Sequence, residues 1–192
     1  MNRTRIVYIL LAATVVIVVG SFWAWSQSRK GVSIQERVAV SVDSSKLPPD
    51  PGEGGKQTLA GIDSDKDGVR DDVQRWIVMS YPSSADELLR KALGDFAVSM
   101  QAMIINSNAS QSVLSDIAKQ RTKTQYCINY IQDTKLNDSK LAASETYDLI
   151  KALKATVLNT RERSKAFLIA DSKQSGSSGT MVDRSLWKEM CN

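Results

Sequence analysis

The sequence predicts an all-α protein: an N-terminal transmembrane helix, a proline- and glycine-rich linker, then a four- or five-helix bundle. Three observations carry this. An uncharged run, Ile6 to Trp25, stands near the N-terminus; the run LPPDPGEGG follows at 47–55; and from residue 69 apolar side chains recur at spacings of three and four, interrupted only by Pro82. The chain divides accordingly into an anchor at 1–30, a linker at 31–58 and a helical body at 59–192. Its 42% hydrophobic and 24% charged residues are those of a folded chain.

Ile6 to Trp25 is twenty residues long, and a helix rising about 1.5 Å per residue carries it across a hydrocarbon core of about 30 Å. Tyr8 near one end and Trp23 and Trp25 near the other suit the two membrane interfaces. A cleaved signal peptide has a shorter apolar run and small residues at the cut, where this chain has Phe22, Trp23 and Trp25, so an uncleaved anchor is expected. Neither cysteine lies near the segment to take a lipid. Arg3 and Arg5 on one side are matched by Arg29 and Lys30 on the other, so charge alone sets no orientation.

Those four are the basic residues of the first thirty, out of 25 in all; the 21 that remain equal the 21 acidic residues, every one of which lies after position 30. The body is therefore electrically neutral, and the excess of cations that tracks phosphates is absent, which excludes a nucleic-acid partner. The chain has no histidine. Histidine-based triads and imidazole metal sites are excluded with it.

The linker holds Pro48, Pro49 and Pro51 with Gly52, Gly54 and Gly55, a composition that builds no core and makes an extended spacer or a strap laid on the body. Val38, Val40 and Val42 alternate with Ala39 and Ser41 as in a short strand. In the body, Val73, Trp76, Ile77 and Ser80 predict a short helix ending before Tyr81-Pro82, because the residue before a proline avoids the helical region. Ser84 and Glu87 read as a capping box opening a second helix with the stripe Leu89, Leu93, Phe96, Met100, Met103 and Ile104. Val113, Leu114, Ile117, Ala118, Cys127, Ile128 and Ile131 predict a third, and Leu141, Leu149, Ile150, Leu153, Val157 and Leu158 a fourth. After the loop QSGSSG, Thr180 followed by Asp183 is expected to cap a terminal helix carrying Leu186, Trp187 and Met190. Met79, Met100 and Met103 are expected to fill core rather than hold a cofactor.

Residues 63–74 read DSDKDGVRDDVQ. Asp63, Asp65 and Asp67 alternate, Gly68 permits a sharp turn, and Asp71 and Asp72 follow. Calcium takes six to eight hard oxygen ligands, and alternating aspartates on a tight loop aim several carboxylates at one centre. Val69 is expected to offer its backbone carbonyl, Asp71 to bind directly or through water, and Gln74 to offer its amide oxygen. The competing reading is a solvated acidic turn at a helix N-terminus, where negative charge is also favoured. Five carboxylates in ten residues repel one another without a cation, which weighs for the metal.

The loop resembles those of EF-hands, and its DxDxDGxxDD form resembles still more the calcium loops of thrombospondin type 3 repeats and of similar bacterial envelope proteins. The resemblance covers about a dozen residues. It implies one structural calcium site. Two positions depart from the EF-hand: Gln74 stands where a bidentate glutamate is expected, and Arg70 where an apolar residue is usual. Asp72 is a candidate to supply the missing carboxylate. The wider stretch LPPDPGEGGKQTLAGIDSDKDGVRDDVQRWI is also similar to segments of uncharacterised bacterial envelope proteins.

The two cysteines, Cys127 on a helix and Cys191 beside the C-terminus, are expected to form a disulfide pinning the last helix, a link that belongs to an oxidising compartment. Without histidine or a CxxC pair nothing activates a thiol. Carboxylate pairs such as Glu145 with Asp148 or Asp86 with Glu87 read as solvated helix charge rather than as acid and base. Joined together, these readings describe a single-pass protein of the bacterial inner membrane. Its anchor sits in the lipid bilayer, and its body in the periplasm is stabilised by one calcium ion. Its role is a binding or assembly module for an envelope protein. The alternatives are an envelope hydrolase whose active site the sequence does not display, and a calcium-responsive switch.

Overall fold

The computed structural model describes residues 47–176 and 181–192. The apolar run Ile6 to Trp25, the valines at 38–42 and Thr180 lie outside the described residues. Within them the chain is all helical: α1 Asp71–Ser80, α2 Glu87–Ile105, α3 Gln111–Leu136, α4 Ser139–Val157 and α5 Arg161–Ser172, with 3₁₀ segments Gly52–Lys56, Ser84–Asp86 and Arg184–Cys191. No helix among the described residues is long and apolar enough to cross a membrane.

Helix α2 is the centre of the bundle and packs against all four other helices. Its stripe explains this. Leu89, Leu93, Phe96, Met100, Met103 and Ile104 are all at most 1% exposed, and burying a side chain of this size stabilises by about 1.5–3 kcal/mol. Around it lie Val73 and Ile77 of α1, Cys127 and Ile128 of α3, Leu149, Ile150, Leu153 and Val157 of α4, and Ala166 of α5. Val113 and Leu141, at the outer ends of their predicted stripes, do not reach the core, and Met79, expected to fill core, is exposed as well.

The helix ends follow local chemistry. α1 stops at Tyr81, whose N–H bonds the Ile77 carbonyl before Pro82. Between α3 and α4 the corner is two residues long. Asn137 turns left-handed at φ 49°, and Asp138 accepts hydrogen bonds from the N–H groups of Lys140 and Leu141. At the start of α2 the expected capping box does not form. Ser83 accepts from the Ala85 N–H and opens the 3₁₀ turn, so the α-helix begins only at Glu87. Asp86 is buried there, 2.5 Å from Lys135 of α3, an ion pair rather than a solvated charge.

Two further corrections concern the C-terminal third. Helix α5 carries no periodic apolar stripe, because its buried residues are Arg163, Ala166 and Ala170. The last segment, capped by Asp183, is a 3₁₀ helix instead of an α-helix and has no buried residue of its own. It is held on α3 by the disulfide Cys127–Cys191, by Arg184 bonded to Asp133, and by Trp187 against Tyr126 with ring centroids 5.8 Å apart.

Candidate metal centre

The chain from residue 48 to 60 runs over the helices as a strap. Arg75 holds the Pro48 carbonyl at 2.8 Å, and Gln101 of α2 donates to the carbonyls of Leu59 and Ala60. Strap and α1 are joined by the acidic loop, which three residues turn sharply: Gly61 at φ 70°, Lys66 at φ 58° and Gly68 at φ 91°.

Inside the loop the carboxylates first satisfy backbone donors. Asp63 Oδ2 accepts from the Gly68 N–H at 3.0 Å, Asp67 Oδ1 from Val69 at 2.8 Å, and Asp71 Oδ1 from Ser64 at 2.8 Å. These bonds gather the loop around its own acids. One oxygen each of Asp63, Asp65 and Asp71 lies within 4.8 Å of the others, and ligands at 2.3–2.6 Å from one calcium stand up to about 5 Å apart. Asp71 is only 1% exposed.

Gln74, one turn into α1, places its amide nitrogen 3.0 Å from both Asp65 Oδ2 and Asp67 Oδ2. That bond holds the Asp65 carboxyl below its ordinary value. Asp67 moves the other way: burial raises it, against the Val69 N–H, and repulsion from Asp65, Asp63 and Asp71 adds to the rise. Among the described residues, the buried side-chain oxygens and nitrogens that lack a hydrogen-bond partner are Asp63 Oδ1 and Gln74 Oε1. Both are acceptors, one in this loop and one on the α1 side chain bonded to it. A buried acceptor without a donor is costly, and a hard cation satisfies acceptors without needing any donor. The cluster could thus hold a hard cation.

The expected ligands do not all converge. Asp63, Asp65 and Asp71 come together, with Asp67 and Gln74 bonded alongside. Val69 is buried and bonds Asp67 through its N–H. Asp72 turns away: it receives two bonds from Arg70, at 2.9 and 2.8 Å, and one from Asn159 at 2.8 Å. Successive helix residues point about 100° apart, so of the pair Asp71-Asp72 only one faces the loop. Burial pushes Asp72 up, but the Arg70 hydrogen bonds and charge, helped by Asn159, hold it below the ordinary range.

Arg70 belongs to a buried hub that sequence reasoning missed. It is 3% exposed and also donates to Gln101 Oε1 and to the carbonyls of Thr156 and Val157, at the C-terminal end of α4 where carbonyls lack helical partners. Arg163 is fully buried. Its guanidinium bonds the strap carbonyls of Gly55, Thr58 and Leu59, and Asn159 Oδ1. Burial lowers its proton affinity, as does Arg70 nearby, yet a guanidinium stays charged. The one signal in the sequence was Arg70 itself, a charge at a position usually apolar.

No protein-family model, curated protein or solved structure matches this chain.

Proposed function

We propose that the chain is a membrane-anchored binding or assembly module whose helical body is stabilised by one calcium ion held by Asp63, Asp65 and Asp71, with Asp67, Val69 and Gln74 completing the set. The observation that carries the metal is the pair of buried, donorless acceptors, Asp63 Oδ1 and Gln74 Oε1, at the loop where three carboxylates converge. The anchor is Ile6 to Trp25, the location the bacterial inner membrane with the body in the periplasm, and the partner another envelope protein. The disulfide supports the outside location, since such links persist in oxidising compartments. Sites of the extracellular kind bind at about 10⁻⁴–10⁻³ M, which suits a compartment open to external calcium.

A stabilising role is favoured over switching because both ends of the loop are clamped. Arg163 and Gln101 hold the strap on one side, and Arg70 ties the first turn of α1 to α4 on the other. Thermal unfolding of the full chain with millimolar calcium, with magnesium and with a chelator tests the reading. Calcium at about 100 times its dissociation constant adds about 2.7 kcal/mol, a rise of about 5–10 °C for a body of this size. Asp65→Ala with Asp67→Ala removes that rise while the helical circular dichroism persists. Equal melting in calcium and chelator, or calcium binding unchanged in the double variant, overturns the metal. Protease added to spheroplasts degrades the body if the topology holds; full protection reverses it.

A further inference from the structure

A second site lies far along the chain from the acidic loop, where α3, α4 and the C-terminal 3₁₀ segment enclose a hollow of about 280 Å³. On α3 its wall is Gln125, Asn129 and Asp133, spaced by four and so on one helix face. On α4 it is Ala142 and Ala143, whose small side chains leave the space, with Ser139, Thr146 and Tyr147. Trp187 and Arg184 close it from the third side.

Among the described residues the side-chain amides of Gln125 and Asn129, both part-exposed, and the hydroxyl of Thr146, a residue 5% exposed, have no hydrogen-bond partner in the protein, and all three keep access to solvent. A threonine in mid-helix commonly bonds back to the carbonyl four residues before, as Thr122 and Thr134 do in α3. Thr146 does not. Its neighbours Tyr147 and Trp187 are aromatic, and Trp187 is backed by Tyr126 and by the Arg184 guanidinium, 6.0 Å from its ring centre.

We propose that this hollow binds one neutral pyranose ring of a saccharide. Charge excludes an ionic ligand, because the charged lining is the pair Asp133 and Arg184, which neutralise one another through two hydrogen bonds. The unpaired amides and hydroxyl each donate and accept, so they match a ligand whose groups do both, as alcohol hydroxyls do. A purely apolar ligand would take all three from water and leave them unpaired, and burying a polar group without a partner is costly. The rings supply apolar faces for C–H groups, and a pyranose combines an apolar ring face with a rim of hydroxyls. The volume stands just below the range of about 300–1,000 Å³ usual for ligand sites, which limits the occupant to a single ring. The inference does not depend on the calcium loop.

The test is saturation-transfer difference NMR on the full chain with methyl glucopyranoside, methyl galactopyranoside and N-acetylglucosamine, with adenosine as the aromatic competitor. Transfer to the ring protons of at least one pyranose is expected, equally in calcium and in chelator. Thr146→Val keeps the volume and removes the hydroxyl, and it should weaken binding about fivefold to tenfold, as should Asn129→Ala. Trp187→Ala should abolish transfer, and the melting temperature of each variant shows whether the fold is retained. The proposal is overturned by no transfer to any of the three up to about 50 mM, roughly tenfold above the millimolar constant expected of one ring. It is also overturned by undiminished transfer in both Thr146→Val and Asn129→Ala, or by adenosine displacing the sugar as the better ligand.

Discussion

Replacing Arg163 by methionine tests whether the buried hub holds the strap. The guanidinium is 0% exposed and reaches the carbonyls of Gly55 at 2.5 Å, Thr58 at 2.8 Å and Leu59 at 3.3 Å. A hydrogen bond to a charged group contributes about 1.5–3 kcal/mol net, so three set a ceiling of about 4.5–9 kcal/mol. That ceiling is not reached. Methionine fills most of the volume, and the freed carbonyls regain water when the strap lifts. The loss expected in urea unfolding is about 3–5 kcal/mol, part of the ceiling, because the carbonyls left without their charged donor recover the rest from water. The strap amides of Gly55 and Gln57 should exchange at solvent rates while those of α2 stay protected. Arg163→Lys should fall between, because one ammonium cannot span three carbonyls. A loss under about 1 kcal/mol with the strap amides still protected refutes the assignment, since that is the cost of an exposed pair.

Three other outcomes are expected. Gly61→Ala should lower stability by at least about 2 kcal/mol, because φ is 70° there and a Cβ meets Arg70 Cδ at 2.6 Å and Arg163 Nη2 at 2.8 Å; a melting temperature within a degree of wild type refutes it. Asp72 is held below its ordinary value of 3.8, so its contribution is present above that value and lost as pH falls through the lower folded one. Asp72→Asn should accordingly flatten the acid limb of a pH–stability curve below about pH 4, and an unchanged limb counts against the Arg70 pair. Cys191→Ser should cost about 2–4 kcal/mol in oxidised protein and make melting insensitive to a dithiol reductant, whereas wild type falls on reduction; equal melting of wild type in both conditions argues against the bridge.

How much of this was legible turns on where each residue's partners lie. The stripe on α2 was plain because burial there follows the helix period, and the gathering of Asp63, Asp65 and Asp71 was plain because the residues that turn that loop are local in sequence. Helix α5 was not, since its inner face is an arginine and two alanines, and only the strap, more than a hundred residues away, explains a buried Arg163. The 3₁₀ character of Arg184–Cys191 was hidden for another reason. Leu186, Trp187 and Met190 recur at intervals that a 3.0 and a 3.6 period both accommodate, and no sequence signal separates them. Asp72 looked like a ligand because composition counts carboxylates, whereas a helix sends neighbours in different directions.

The hub also bears on what a cation can do. Arg70 stands at the N-cap of α1 and Asp72 in its first turn, which also presents Asp71 to the loop, so the arginine that departs from the EF-hand pattern fixes the helix end on which the acidic cluster depends. An apolar residue at that position would leave the carbonyls of Thr156 and Val157 without their donor and the Asp72 charge half-buried and unpaired. The loop is thereby attached to α4 on one side and, through Gly61 and the strap, to α5 on the other. On the proposed reading, a calcium ion adds its binding free energy to a loop already fixed at both ends. Its effect is to raise the cost of lifting the strap rather than to open the bundle, because opening would break the two buried arginine networks while the ion itself contacts neither.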